Sequence, residues 1–136
     1  MLEFIDITEE NEEVISFNLK TENYNLLHFS EVKDDFKAIF YKDDFVGIIS
    51  LVFGKKIGIV NELFLCEEYR NKVYFKYIIY YIFDEFKKRN IKFNVFQVDI
   101  NDLRSINFHI KRGAKATGYK LNFISYIKDY VKKIEK

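Results

Sequence analysis

The chain holds no proline and no tryptophan, only five glycines and a single cysteine among its 136 residues. One cysteine, Cys66, excludes an internal disulfide or a cysteine-based metal cluster and fits a reducing compartment. Net charge is missing as well. The 22 Lys and Arg side chains face 21 Asp and Glu, so the balance points to neither a nucleic acid nor a membrane as partner. No apolar run approaches the ~20 residues that a membrane span requires. The opening MLEFIDITEENEE is acidic and lacks the basic patch and apolar stretch of a secretory signal. The expected address is cytoplasmic. What is present, 49% hydrophobic and 32% charged residues, is the make-up of a globular protein. The length suits one domain, residues 1–136, with a closed core.

Leu2 to Ile7 reads as a short strand. Thr8 follows as an N-cap, with Glu9, Glu10, Glu12 and Glu13 placed for the first turns of a helix. That helix runs to about Leu19, and Val14, Ile15 and Phe17 are expected to form its buried side. Residues 21–35 are polar and carry no pattern. From about Lys37 the stretch FKAIFYKDDFVGIISLVFGKKIGIVNELFLC is rich in β-branched and aromatic residues. Asp43-Asp44 and Gly54-Lys55-Lys56 punctuate it as turns, which predicts a three-stranded antiparallel meander. Its nearly continuous apolar runs imply strands covered on both faces.

A charged loop after Cys66 leads into a helix from Tyr77 to Arg89, where Ile78, Ile79, Ile82, Phe83 and Phe86 recur at helical spacing. Asn90 ends it. Ile91 to Ile100 alternates as a strand, Leu103 to Lys111 forms a second helix stopped at Gly113, and Ala116 to about Lys128 reads as a hairpin. A strand, a helix and a strand in that order form a crossover. Residues 57–65 and 91–100 should therefore be parallel neighbours. The fold class is α/β (α+β), with a mixed central sheet of about six to seven strands flanked by helices.

The chemistry is concentrated in NELFLCEEYRNKVYFKYIIYYIFDEFKKRN and in the later VDINDLRSINFHIKRGAKATGY. A loop that feeds a helix offers unpaired N–H groups and the positive end of the helix dipole, a ready site for a pyrophosphate. Arg70, Lys72 and Lys76 surround that point with positive charge. A solvated basic loop before an amphipathic helix is the plainer reading of the same residues. Asp102, Ser105 and His109 share one helical face by their three- and four-residue steps. Cys66 follows an apolar strand and reads as packing, and His28 as surface.

Over residues 37–120 this arrangement resembles the GNAT N-acetyltransferase superfamily. There a strand leads into a loop of pattern Arg/Gln-x-x-Gly-x-Gly/Ala that opens a helix. A later strand ends in an Asn-containing turn before a helix with an aromatic-Lys-x-Gly-Phe ending. The loop here is Arg70-Asn71-Lys72-Val73-Tyr74-Phe75, followed by Lys76, and the later signature is SINFHIKRGA, Ser105 to Ala114. Val73 and Phe75 stand at both family glycine positions. The N–H groups survive, but β-branched Val73 resists the left-handed geometry that glycine permits.

The resemblance implies acetyl-coenzyme A as co-substrate, with no metal, and a primary amine on a small molecule or a protein as acceptor. Main-chain groups of Leu63, Phe64 and Leu65 would hold the pantetheine arm as an added strand would. Residues 70–76 would hold the pyrophosphate. Asn101, Asp102 and Ser105 would stand near the cofactor, with Asp102 where the family usually has Asn. His109 occupies the place of a Tyr that protonates the departing thiolate, and a half-buried packing histidine is the alternative. A thiol of pKa about 8.5 leaves readily near neutral pH, so the acid is expected to contribute ~10²-fold or less. Glu62 is the candidate base that deprotonates the amine, and a solvent-facing strand glutamate is the alternative. GNAT proteins commonly dimerise, so a homodimer is one expected assembly. A GNAT-fold ligand-binding or interaction module without transferase activity is the competing reading, carried by Val73 and Phe75. A nucleic-acid role for Lys87-Lys88-Arg89 lacks any accompanying stacking motif.

Overall fold

The structure, a computed structural model, describes residues 1–22, 24, 35–97, 107, 110–111, 115–117 and 122–126. Among them the order is β1 (Leu2–Asp6), α1 (Glu12–Thr21), β2 (Asp35–Tyr41), β3 (Asp44–Phe53), β4 (Ile57–Leu65), a 3-10 turn (Glu67–Tyr69), α2 (Lys72–Lys88), β5 (Phe93–Gln97), β6 (Lys115–Thr117) and β7 (Asn122–Tyr126). Asn107, Ile110 and Lys111 are helical, inside the helix expected from Leu103 to Lys111. The seven strands belong to a mixed sheet. Contacts divide the chain into two compact units, Met1–Ser50 with Glu62–Tyr77, and Leu51–Asn61 with Ile78–Lys136.

In the first unit the strand order is β1-β2-β3-β4. β1 pairs antiparallel with β2 from Leu2 opposite Tyr41 to Asp6 opposite Lys37, and the last pair is closed by an ion pair between Lys37 and Asp6. The link to β3 is Lys42-Asp43 and not Asp43-Asp44. Lys42 takes φ 55°, and Asp44 already belongs to the strand. From Val46 to Ser50 every residue of β3 is buried, as a strand covered on both faces requires.

Helix α1 departs from expectation at its start and in its buried face. Its N-cap is Asn11, not Thr8. The Asn11 Oδ1 accepts the Thr8 N–H at 2.8 Å while its Nδ2 donates to the Asp6 carbonyl at 2.9 Å, so residues 6–11 form a turn and the helix waits until Glu12. Ile15 and Leu19, four apart, are the buried stripe, whereas Val14 and Phe17 are 59% and 71% exposed. Residues at i and i+4 lie over one another on a helix, and Val14 and Phe17 are rotated off that line.

In the second unit the order is β3-β4-β5-β7-β6. β4 and β5 run parallel, with Ile57 opposite Phe93 and Val60 opposite Phe96, which is the expected crossover pair. β7 pairs antiparallel with both β5 and β6, giving the expected hairpin at the C-terminal end. Ile78, Ile79, Ile82, Phe83 and Phe86 of α2 are all buried. Burial of each such side chain is worth roughly 1.5–3 kcal/mol. The Phe86 ring fills the space that a side chain at Gly58 would take, and it meets Phe53 edge-on at 5.9 Å. Asn90 at φ 57° closes the helix, with the Ile91 N–H returning to the Phe86 carbonyl at 3.0 Å and the Asn90 N–H to Lys87 at 3.1 Å. No helix among the described residues is long and apolar enough to cross a membrane.

Candidate cofactor site

The residues that bear on chemistry and are described run from Glu62 to Tyr77, all in the first unit. They begin with an irregularity in β4. At the hairpin the Gly54 N–H bonds the Ile57 carbonyl at 2.9 Å. A regular ladder continued from that pair would set Val46 opposite Leu65. The Val46 carbonyl instead accepts from the Cys66 N–H at 2.7 Å. β4 therefore carries one more residue than β3 over this stretch, a β-bulge, which turns main-chain groups out of regular pairing. Gly47 marks its place, since a Cβ there would fall on the Phe64 carbonyl oxygen. Composition and periodicity did not bring out Gly47. The signal was present, because a lone glycine in an apolar strand marks a bulge or a close backbone approach.

Arg70 ties the end of β4 to the segment that follows. Its Nε donates to the Leu65 carbonyl at 2.6 Å, and its guanidinium stands 5.3 Å from the Phe64 ring centroid. Tyr24 stacks on the same ring at 4.3 Å. The Leu65 carbonyl thus has a charged donor, a stronger bond than a neutral pair gives.

The next segment differs from the expected loop. α2 begins at Lys72, five residues before Tyr77, so Val73, Tyr74, Phe75 and Lys76 are already helical. Asn71 is the cause. Its Oδ1 accepts from the Val73 N–H at 3.1 Å and from the Tyr74 N–H at 3.3 Å, and its carbonyl takes the Phe75 N–H at 3.0 Å. That is an N-cap, and no glycine interrupts the turn behind it. Val73 lies in a right-handed helix with 62% of its surface exposed, so the left-handed strain expected of a β-branched residue does not arise. Among described residues only Lys42 and Asn90 combine a side chain with positive φ. Lys72 and Lys76 are exposed at the helix start. Tyr74 packs edge-on against Tyr69 at 4.9 Å and Tyr41 at 5.9 Å.

Electrostatics separate the candidates. Glu62 is half-buried, and that burial pushes its carboxyl above the ordinary value of 4.5, because the charged form loses hydration. Cys66 is 3% exposed. Burial, then the charges of Glu22 and Glu68, push its thiol up to about 11, against a smaller opposite pull from Arg70. Burial, then Asp44 and Glu68, also raise the Tyr69 phenol. Both groups line a cleft of about 210 Å³ with Asn18, Thr21, Glu22, Asp44, Phe45 and Glu68. His109, Asn101, Asp102, Ser105 and His28 lie outside the described residues. Among the described residues no group of His, Cys, Asp or Glu could hold a metal ion.

No protein-family model matches the sequence, and no curated protein matches it. Solved structures do. Naa50 of Arabidopsis thaliana, in complex with the bisubstrate analogue CoA-Ac-MVNAL, superposes with a TM-score of 0.68 at 17% identity, covering 90% of this chain and 95% of that one. The spermidine/spermine N-acetyltransferase SpeG of Vibrio cholerae gives 0.72 at 10% identity over 97% of each chain. A GNAT family acetyltransferase of Elizabethkingia anophelis with acetyl-CoA bound gives 0.66 at 8% identity over 92% of this chain and 97% of that one. With its parallel β4–α2–β5 crossover, the chain has the GNAT acetyltransferase fold.

Proposed function

We propose that the protein is an N-acetyltransferase, moving an acetyl group from acetyl-coenzyme A to a primary amine on a small molecule or a protein. The observation that carries this reading is the bulge in β4, set in a chain with this fold. Main-chain groups of Leu63 to Leu65 that leave a ladder can pair with the amide-bearing pantetheine arm. The exposed Lys72 and Lys76 and the positive end of the α2 dipole would attract the pyrophosphate, and Arg70 braces the segment from the strand side.

In the proposed reaction the amine nitrogen attacks the thioester carbonyl carbon, a C–N bond forms, and the C–S bond breaks with its electron pair going to sulfur. The proton lost by the amine goes to Glu62, directly or through water. A carboxyl raised by burial holds that proton better than an exposed one. His109, with Asn101, Asp102 and Ser105 near the cofactor, would return a proton to the thiolate. Direct attack also fits Cys66. With its thiol at about 11, roughly one molecule in ten thousand carries a thiolate at neutral pH, too little for an acyl-cysteine route.

A second reading, a binding module without transferase activity, is favoured by Asn71, whose side chain already occupies the N–H groups of Val73 and Tyr74. One experiment separates the two. Acetyl-coenzyme A at a hundredfold excess over Kd should stabilise the protein by ~2.7 kcal/mol, several degrees in melting temperature for a domain of this size. Release of free thiol on adding a panel of amines would then establish transfer. A melting shift without turnover supports a ligand-binding module, and no shift at millimolar ligand overturns the transferase reading and favours a module that does not bind the donor.

A further inference from the structure

The bulge in β4 needs a neighbour that leaves room for it, and β3 does so at one position. Gly47 is buried between Val46 and Ile48, each 0% exposed. A Cβ at Gly47 would coincide with the Phe64 carbonyl oxygen, and it would stand 2.9 Å from the carbonyl carbon and 3.0 Å from the Leu65 Cα. In a regular antiparallel ladder the carbonyls lie in the plane of the sheet while each Cβ projects from it. A carbonyl in the place of a Cβ therefore means that the Phe64 peptide is turned out of the sheet, into space only a glycine leaves empty. The obstacle is main chain, which cannot swing aside as the tip of a long side chain can. Gly47 has no left-handed φ, so space and not backbone freedom is what the glycine provides.

We infer that Gly47 is a positioning residue: the missing side chain on β3 lets the Phe64 peptide turn, and this sets the main-chain groups of Leu63, Phe64 and Leu65 for the acyl donor. The inference rests on the transferase reading of β4. It places a requirement of the cofactor site on a strand that contributes no side chain to it, and it accounts for a glycine in an otherwise apolar buried run.

The test pairs Gly47→Ala with Ile48→Val, a change in the same strand that trims the core without touching the bulge. Acetyl-coenzyme A is titrated calorimetrically into wild type and both variants, well below the melting temperature of each. Backbone amide shifts of residues 63–66 are followed by NMR. Gly47→Ala is expected to stay folded, to bind about tenfold more weakly or worse, as loss of one or two main-chain bonds implies, and to move the amides of residues 63–66. Ile48→Val is expected to bind as wild type and leave those amides in place. Wild-type affinity in a folded Gly47→Ala protein would overturn the inference, as would equal weakening in both variants. A Gly47→Ala chain that never folds would also overturn it, making the glycine a requirement of the sheet and not of the site. If the wild type itself fails to bind, the transferase reading falls and with it the link to the donor. The amide shifts would still decide whether Gly47 sets the Phe64 peptide.

Discussion

Asn71 is the residue on which the cofactor reading turns. The family pattern asks for flexible glycine where this chain has Val73 and Phe75, and the sequence alone suggests strain at Val73. The strain is avoided because the Asn71 side chain caps the helix and draws those residues into its first turn. An incoming pyrophosphate would therefore compete with a carbonyl oxygen the protein supplies itself. Asn71→Ala should cost about 1 kcal/mol of stability, the usual worth of an N-cap. It should not weaken acetyl-coenzyme A binding, since the N–H groups of Val73 and Tyr74 become available. Thermal melts and calorimetry on the same preparations check both halves. Weaker binding would mean instead that the Asn71 amide itself contacts the phosphate. The cap could have been read from the sequence, because Asn followed by a run of helix-compatible residues is an N-terminal signal. The family glycine pattern drew attention to the wrong side of it.

Among the elements, α2 was legible from Ile78 onward because five apolar side chains repeat at helical spacing, and its end was legible because Asn90 tolerates positive φ. Its beginning was not, since Lys72 to Lys76 follow no apolar period and their helicity depends on a cap. α1 was placed correctly as a helix, but its buried side was expected at Val14, Ile15 and Phe17, of which only Ile15 is buried. Only the i, i+4 partner, Leu19, settles it. β4 was legible as a strand and its extra residue was not, because a bulge alters pairing without altering composition. The same strand carries Glu62, whose burial has a cost of known sign. Its carboxyl is raised above the ordinary 4.5, so the folded state holds its proton more tightly than the unfolded chain does. Stability is then greatest below that ordinary value and falls as pH rises through the raised one. Glu62→Gln should therefore be as stable as wild type at acid pH and more stable at neutral pH, while losing turnover if Glu62 takes the amine proton. Urea denaturation at several pH values reads the first effect and thiol release reads the second. Unchanged turnover would remove Glu62 from the reaction. A neutral-pH stability below wild type would show that its carboxylate has a favourable partner.

For the protein as a whole, the topology was more legible than the site. A meander, a helix and a strand in sequence permit few sheet orders, and the right-handed crossover rule selects the parallel β4–β5 pair that is observed. Electrostatic fields between elements far apart in sequence are not legible, because they depend on which charges the fold brings together. The cleft of the first unit gathers Glu22 from just beyond α1, Asp44 from β3 and Glu68 from the 3-10 turn around Cys66 and Tyr69. Burial is the main reason both groups resist ionisation, and carboxylates add to it, Glu22 and Glu68 at Cys66 and Asp44 and Glu68 at Tyr69. Each group in the folded protein therefore holds its proton to higher pH than in the unfolded chain. The ordinary values are 9.0 for the thiol and 10.0 for the phenol, and the Cys66 thiol is pushed up to about 11. Stability from this source is fully present below pH ~9 and is lost progressively as pH rises toward 11. The protein should accordingly tolerate neutral pH and unfold on an alkaline limb that begins near the thiol's ordinary value. Cys66→Val, close in volume and unable to ionise, should cost less than about 1.5 kcal/mol at neutral pH and flatten the limb between pH 9 and 10. Urea midpoints measured from pH 7 to 10.5 provide the comparison. An alkaline limb unchanged in Cys66→Val but flattened in Tyr69→Phe would assign the loss to the phenol. A limb unchanged in both would mean that ionisation of neither group sets the alkaline limit of stability.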